Sequence, residues 1–221
     1  MPNWCDNQIT ITGPNSVIDK IEKIVKEESN NAEDGLLQFF HPMPKELLET
    51  EAGPIAKTKE EKNERKARKL SFGAENWYDW RVNNWSTKWE VNEFYGVDRQ
   101  YHSEQNEGES TISFGFSSAW SPPIGAYEQF LADNSDCSLK AYYYEGGCDF
   151  MGCWYDGDDE CLAPSDYKST DDFWQDGVGS TLDDVFNITE SMAEYEAEQE
   201  AEKEDVHEYT KGKAMNIGEE A

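Results

Sequence analysis

Arginine is missing from the second half of the chain. Of 221 residues, 19 are Lys or Arg and 47 are Asp or Glu, a formal charge of -28. From Thr111 to Ala221 there are 5 Lys and no Arg against 26 Asp plus Glu, which leaves that half near -21 and the first half near -7. Nucleic-acid binding needs cations that displace counterions from phosphates, so a nucleic-acid partner is not expected. Repulsion from anionic lipid argues equally against a membrane partner. No apolar run approaches the roughly 18 residues that span a bilayer, so a soluble protein is expected. Cysteine is sparse: Cys5, Cys137, Cys148, Cys153 and Cys161 are odd in number, contain no CxxC pair and follow no leader peptide. Reduced thiols in a cytoplasm are the reading. GxSxG, HExxH and a phosphate-cradling glycine loop are all absent, so no cofactor is expected and an enzyme is disfavoured.

What the chain does have is aromatic mass. Hydrophobic content is 37% and mean hydropathy -0.88, yet 13% of residues are aromatic. The apolar material must therefore be concentrated. The densest stretch is Asn76 to Glu90, NWYDWRVNNWSTKWE, with four of the eight tryptophans. Each ring buries on the order of 150–250 Å². Trp77, Trp80, Trp85 and Trp89, with Trp120 further on, are read as structural core rather than as a sugar or nucleobase platform. Ala74 to Asn84 reads as a helix, running into a strand from Thr87 to about Tyr95.

The remaining pattern is an alternation of strands and helices. Gln8 to Thr12 reads as a strand ended by Gly13-Pro14. A helix follows, with Val17, Ile18, Ile21, Ile24 and Val25 on one face. Leu36 to Phe40 reads as a second strand. Lys45 to Leu70, around KTKEEKNERKARK, has no useful apolar stripe and reads as a solvated helix or charged insertion; it is the one basic patch. Gly96 to Ser110 is a polar connection. Thr111 to Ala119 alternates cleanly as a strand, Ile124 to Asp133 is a helix, and Ser138 to Tyr144 with Asp149 to Tyr155 form a hairpin about Glu145-Gly146-Gly147. Beyond Leu162 the composition turns acidic: Phe173 and Trp174 could pin this extension back, and Thr181 to Tyr209 reads as helical. The expectation is an α+β domain over 1–162, with an insertion at 45–70, and an acidic extension over 163–221.

Three segments resemble the YubB-type, Api-ninety-two-like family of phage and plasmid proteins: NWCDNQITITG at Asn3 to Gly13, WYDWRVNNWSTKW at Trp77 to Trp89, and FSSAWSPP at Phe116 to Pro123 with the YYYEGGCDFMG that follows. The resemblance covers about Asn3 to Asp156. It implies a ferredoxin-like antiparallel sheet covered by helices on one face, in a bacterial host cell, and brings no established activity. The chain departs from the family pattern at Ser86, where the family has Gly, which implies that a positive φ there is lost or shifted. The extension after Asp156 lies outside the resemblance.

Several constellations could carry chemistry. Cys148 and Cys153 with His41, and Cys161 nearby in sequence, offer zinc-type ligands, but the spacing fits no knuckle and opposite parity points Cys148 and Cys153 to opposite faces. Asp149, Asp156, Asp158, Asp159 and Glu160 could hold a hard cation, without EF-hand spacing. Cys5 or Ser121 with His41, His102 or His207 could make a nucleophile and base. Tyr142 with Tyr144, or Phe114 with Phe116, could stack single-stranded bases. The reading favoured over these is a non-enzymatic accessory protein that binds a basic host protein. Its acidic surface would imitate nucleic acid, with Asp156, Asp158, Asp159, Glu160, Asp171, Asp172 and Asp176 as the contact.

Overall fold

The alternation of Ile9 and Ile11 with Gln8 and Thr10 extends in both directions into a strand longer than expected, β1 (Trp4–Pro14), whose odd-numbered side chains are buried. A computed structural model describes residues 3–27, 34–53, 58–91, 93–102, 108–193 and 197. After β1 come α1 (Asn15–Glu27), α2 (Leu36–Phe40), α3 (Lys45–Leu48), α4 (Lys59–Phe72) and α5 (Trp77–Trp85). Then follow β2 (Tyr95–Tyr101), β3 (Glu109–Ala119), α6 (Ile124–Asp133), β4 (Ser138–Glu145), β5 (Phe150–Tyr155) and β6 (Asp158–Leu162). The strands form one antiparallel sheet in the order β2-β3-β1-β4-β5-β6. The order of the first four, with helices between β1 and β2 and between β3 and β4, is ferredoxin-like. The β5 and β6 strands lengthen the sheet beyond β4.

One face of the sheet carries the core. Ile9, Ile11, Ile112, Phe114, Phe116, Leu139, Ala141, Tyr143 and Trp154 are buried with Ile18, Ile21 and Val25 of α1 and Ala126, Tyr127 and Phe130 of α6. The opposite face presents Thr10, Ser113, Lys140, Tyr142 and Cys153, partly exposed. This is the period-2 partition of a sheet with one covered face.

The structure corrects four local expectations. Leu36–Phe40 is a helix rather than a strand, because Leu36, Leu37 and Phe40 face inward at helical spacing and the Glu90 carboxylate accepts from the N–H groups of Leu37 (2.7 Å) and Gln38 (2.9 Å) at its start. Thr87 to Val91 is not a strand. Only Thr87 and Val91 at its ends are buried, with the Thr87 hydroxyl donating to the Ala119 carbonyl at 2.7 Å. The strand lies instead at β2, inside the presumed polar connection. It is a largely exposed edge strand with only Val97 and Arg99 partly buried, held by its ladder with β3 and by Arg99, which reaches Asp19 and Glu22 on α1 and the Ser110 hydroxyl. Finally, β6 is an acidic edge strand that no hydrophobic alternation announces.

Within 45–70, α4 has no buried residue; a Thr58–Glu61 capping box opens it and Gly73 at φ +77° closes it. Position 86 keeps the left-handed backbone that the family's glycine would give: Ser86 ends α5 at φ +65°. The strain there is held by its own bonds, since Gly125 N–H donates to Ser86 Oγ at 3.2 Å and Ser121 Oγ donates to the Ser86 carbonyl.

The chain divides into two compact units, Met1–Ala163 and Pro164–Ala221. In the second, α7 (Thr170–Gln175) buries Phe173 against Tyr167 at 4.8 Å while Trp174 stays exposed. The next helix, α8 (Gly177–Phe186), is capped by Asp176, which accepts from Val178 and Gly179 N–H. It stops at Asn187 with φ +54°, so the expected helix from Thr181 is interrupted there and resumes over 188–193; apart from residue 197, its later part lies outside the described residues. Among the described residues no helix is long and apolar enough to cross a membrane.

Candidate functional site

The seven carboxylates expected to form one contact surface have separate roles. Asp156 turns the chain at φ +47° between β5 and β6 and accepts from Leu139 N–H at 2.7 Å. Asp159 accepts from the Tyr143 hydroxyl at 2.7 Å. Tyr143 gets there because residue 152 is Gly; a Cβ at that position would stand 2.4 Å from the tyrosine Cζ. Asp176 caps α8 and accepts from Tyr167 Oη at 3.1 Å, and these donors hold its carboxyl below the ordinary range. Asp172 accepts from Lys168 N–H at 3.3 Å. Asp158, Glu160 and Asp171 are exposed, and their side chains form no hydrogen bond or ion pair with another described residue. Four belong to the first unit and three to the second.

The zinc-type set is not brought together. His41 ends α2 on the helix side, where Nδ1 donates to the Asn84 carbonyl at 3.2 Å and burial holds its pKa low. Cys153 lies on the opposite face of the sheet, and Cys148 sits in the β4–β5 turn at 3.1 Å from the Asn3 amide. Among the described residues no group of three His, Cys, Asp or Glu side chains is arranged for a metal ion, which covers the acidic turn around Asp149 as well. The nucleophile candidates separate likewise. Cys5 is buried and its thiol is pushed well up by burial, Ser121 Oγ is engaged by Ser86, His102 Nε2 bonds Thr111 Oγ1, and His207 lies outside the described residues. Phe114 and Phe116 are core. Tyr142 and Tyr144 are on the face away from the helices, with the Lys140 ammonium 4.5 Å from the Tyr142 ring.

The tryptophans divide. Trp80 and Trp85 are core, and Trp85 Nε1 donates to the His41 carbonyl at 2.7 Å. Arg81 is buried between the Trp77 and Trp85 rings, at 5.3 and 4.7 Å, where burial lowers its guanidinium pKa and the nearby Glu90 opposes the shift. Trp77 is partly buried and packs against the core, Trp89 is partly buried, and Trp120 is 38% exposed, so the core expectation fails for Trp120. The reason is positional. Trp120 follows the last paired residue of β3 and stands at φ +74°, its N–H donating to the Asn3 carbonyl at 2.9 Å, so its ring leaves the sheet instead of alternating into it.

This ring forms one wall of a cleft of about 700 Å³ bounded by α4, α5 and the end of β3. Asn76 starts α5 by accepting from Asp79 N–H at 3.0 Å and donating to its carboxylate at 2.8 Å, which sets Trp77 and Tyr78 on the first turn facing the cleft. Tyr78 meets Trp120 nearly edge-on, at 6.3 Å and 82°. The Lys88 ammonium lies 4.4 Å from the Trp89 ring, 5.1 Å from Trp120 and 5.9 Å from Tyr78, with no carboxylate among the described residues within ion-pair distance. Trp4, 51% exposed, packs on Trp89 at 5.9 Å. From α4, Arg65 donates to the Gly53 carbonyl at 2.6 Å and stands 4.0 Å from Glu75. Sequence reasoning did not identify this site, because Arg65, Tyr78, Lys88 and Trp120 come from three separated segments. The one local signal was a lysine flanked by tryptophans at 85 and 89.

No family model matches the chain, and no curated protein matches it. Among solved structures, the protein api92 from Yersinia pseudotuberculosis, of family-model DUF1281, is similar over 74% of this chain and 98% of that one, at 10% identity and a TM-score of 0.38.

Proposed function

We propose that this protein is a non-enzymatic accessory protein of the phage or plasmid kind that acts by binding a basic host protein. One observation carries this reading: Asp158 and Glu160 are exposed on an edge strand and, like Asp171 in the second unit, are left without an internal donor while neighbouring carboxylates are committed to the fold. Carboxylates with no internal cation add directly to the field of a chain at -28. Such a field steers a basic surface and competes with nucleic acid for it. The structural commitments of Asp156, Asp159, Asp172 and Asp176 leave Asp158 and Glu160 on the first unit and, separately, Asp171 on the second as the free carboxylates.

The test is affinity capture from nuclease-treated bacterial lysate with the intact protein and with Asp158→Lys, Glu160→Lys and Asp171→Lys combined. A basic protein retained by the first and lost from the second, with unchanged thermal unfolding, is expected. Equal retention by both would overturn the reading.

A further inference from the structure

We propose that the cleft between α4, α5 and the end of β3 binds a neutral carbohydrate. The argument starts from its charge balance. Its lining offers two cations, Arg65 and Lys88, and two carboxylates, Glu75 and Asp79, between the rings of Trp77, Tyr78 and Trp120. Arg65 is already close to Glu75, and Asp79 holds the Asn76 amide. An anionic ligand would meet both carboxylates inside the cleft and the field of an acidic chain outside it. A cationic one would meet the Lys88 ammonium, and a purely apolar one would strip water from five polar side chains without replacing their bonds.

A sugar ring answers each demand. One face of it is a flat array of C–H groups that packs against an aromatic ring, and its rim carries hydroxyls that both donate and accept. Glu75 and Asp79 can accept from those hydroxyls; Arg65 and Lys88 can donate to them. Lys88 is pre-positioned for this role, since contact with three rings holds its ammonium at the cleft wall with no carboxylate partner.

The backbone is a second, independent indication. A bulky residue rarely occupies the left-handed region, yet Trp120 stands there at φ +74° with its ring 38% exposed. A tryptophan whose function was to fill the core would gain nothing from that conformation, whereas a ring projected from the end of a strand gains an open face. Strain of this kind collects where a side chain must be presented.

The test uses the full chain, titrated with chitotetraose, cellotetraose, maltotetraose and an oligothymidylate while tryptophan emission is followed. At least one neutral tetrasaccharide is expected to give a saturable change that persists at high salt. Trp120→Ala should weaken it about tenfold, the scale of one lost stacking contact. Lys88→Met, which keeps the apolar stem, should weaken it about threefold to tenfold through the lost donor, and keeps the test valid if Trp120→Ala does not fold. No saturable change with any of the three sugars would overturn the proposal, as would equal affinity in both variants. A response confined to oligothymidylate would assign the cleft to nucleic acid, and a lysate protein whose retention needs Trp120 in the absence of any sugar response would assign it to a protein; either outcome overturns the carbohydrate assignment.

Discussion

The helix layer around Trp85 and the sheet edge at β6 treat charge in opposite ways. In the helix layer even ionisable groups are committed: Arg81 is closed between two indoles, and Glu90 fastens the start of α2. At β6 the chain is more acidic, but Asp159 alone of its three consecutive carboxylates bonds another side chain. The density of charge in the sequence is therefore a poor guide to where charge is available. What matters is which groups the fold has already used.

The comparison breaks most visibly at Trp85. Trp85→Ala should cost about 3–5 kcal/mol in urea unfolding, because it opens a cavity beside Arg81 and orphans the His41 carbonyl. A loss below about 1 kcal/mol would mean that the layer repacks freely and is not the core described.

Glu90→Gln is next, at about 1–3 kcal/mol, since one of the two acceptor oxygens at the start of α2 becomes an amide that faces an N–H donor. This residue also carries a pH signature. Burial raises its carboxyl above the ordinary value of 4.5, so the folded chain holds its proton more tightly than the unfolded chain does. Its contribution to stability is full below pH 4.5 and is lost as pH rises through the folded value. Denaturant midpoints across that range should show this slope in the native protein and lose it in Glu90→Gln.

The edge separates by smaller effects. Asp159→Ala should cost about 1 kcal/mol by freeing the Tyr143 hydroxyl. Asp158→Lys with Glu160→Lys should stay within about 0.5 kcal/mol in the same unfolding assay, although it reverses two charges where Asp159→Ala only removes one. If the order of those two variants were inverted, Asp158 and Glu160 would have a structural role and the basis for the binding surface would disappear.

Much of the fold is legible in the residues themselves. The alternation in β1, β3 and β4 and the stripes of α1 and α6 put one face of each element in the core, and those segments lie where the pattern places them. The segments misread are those whose partners are remote. Leu36–Phe40 is too short for its period to distinguish helix from strand, and the group that settles it, Glu90, is 52 residues from Gln38. Edge strands β2 and β6 have no buried stripe, so only hydrogen bonding to a neighbour defines them.

Of the candidate site less was legible. The exposed carboxylates were visible as acidic residues but not as free ones, since that depends on Leu139 reaching Asp156 and Tyr143 reaching Asp159 across the sheet. The tryptophans were visible as mass but not as walls.

By itself the sequence determined the acidic field, the alternating elements and hence an α+β sheet with one covered face, because periodicity and net charge are properties of the chain read locally or as a sum. The tertiary structure alone decided which tryptophans are core and which line a cleft, and which carboxylates remain free. Those outcomes depend on contacts between residues far apart in the chain, as when the turn at Ser86 and the left-handed Trp120 bring Lys88 against three rings.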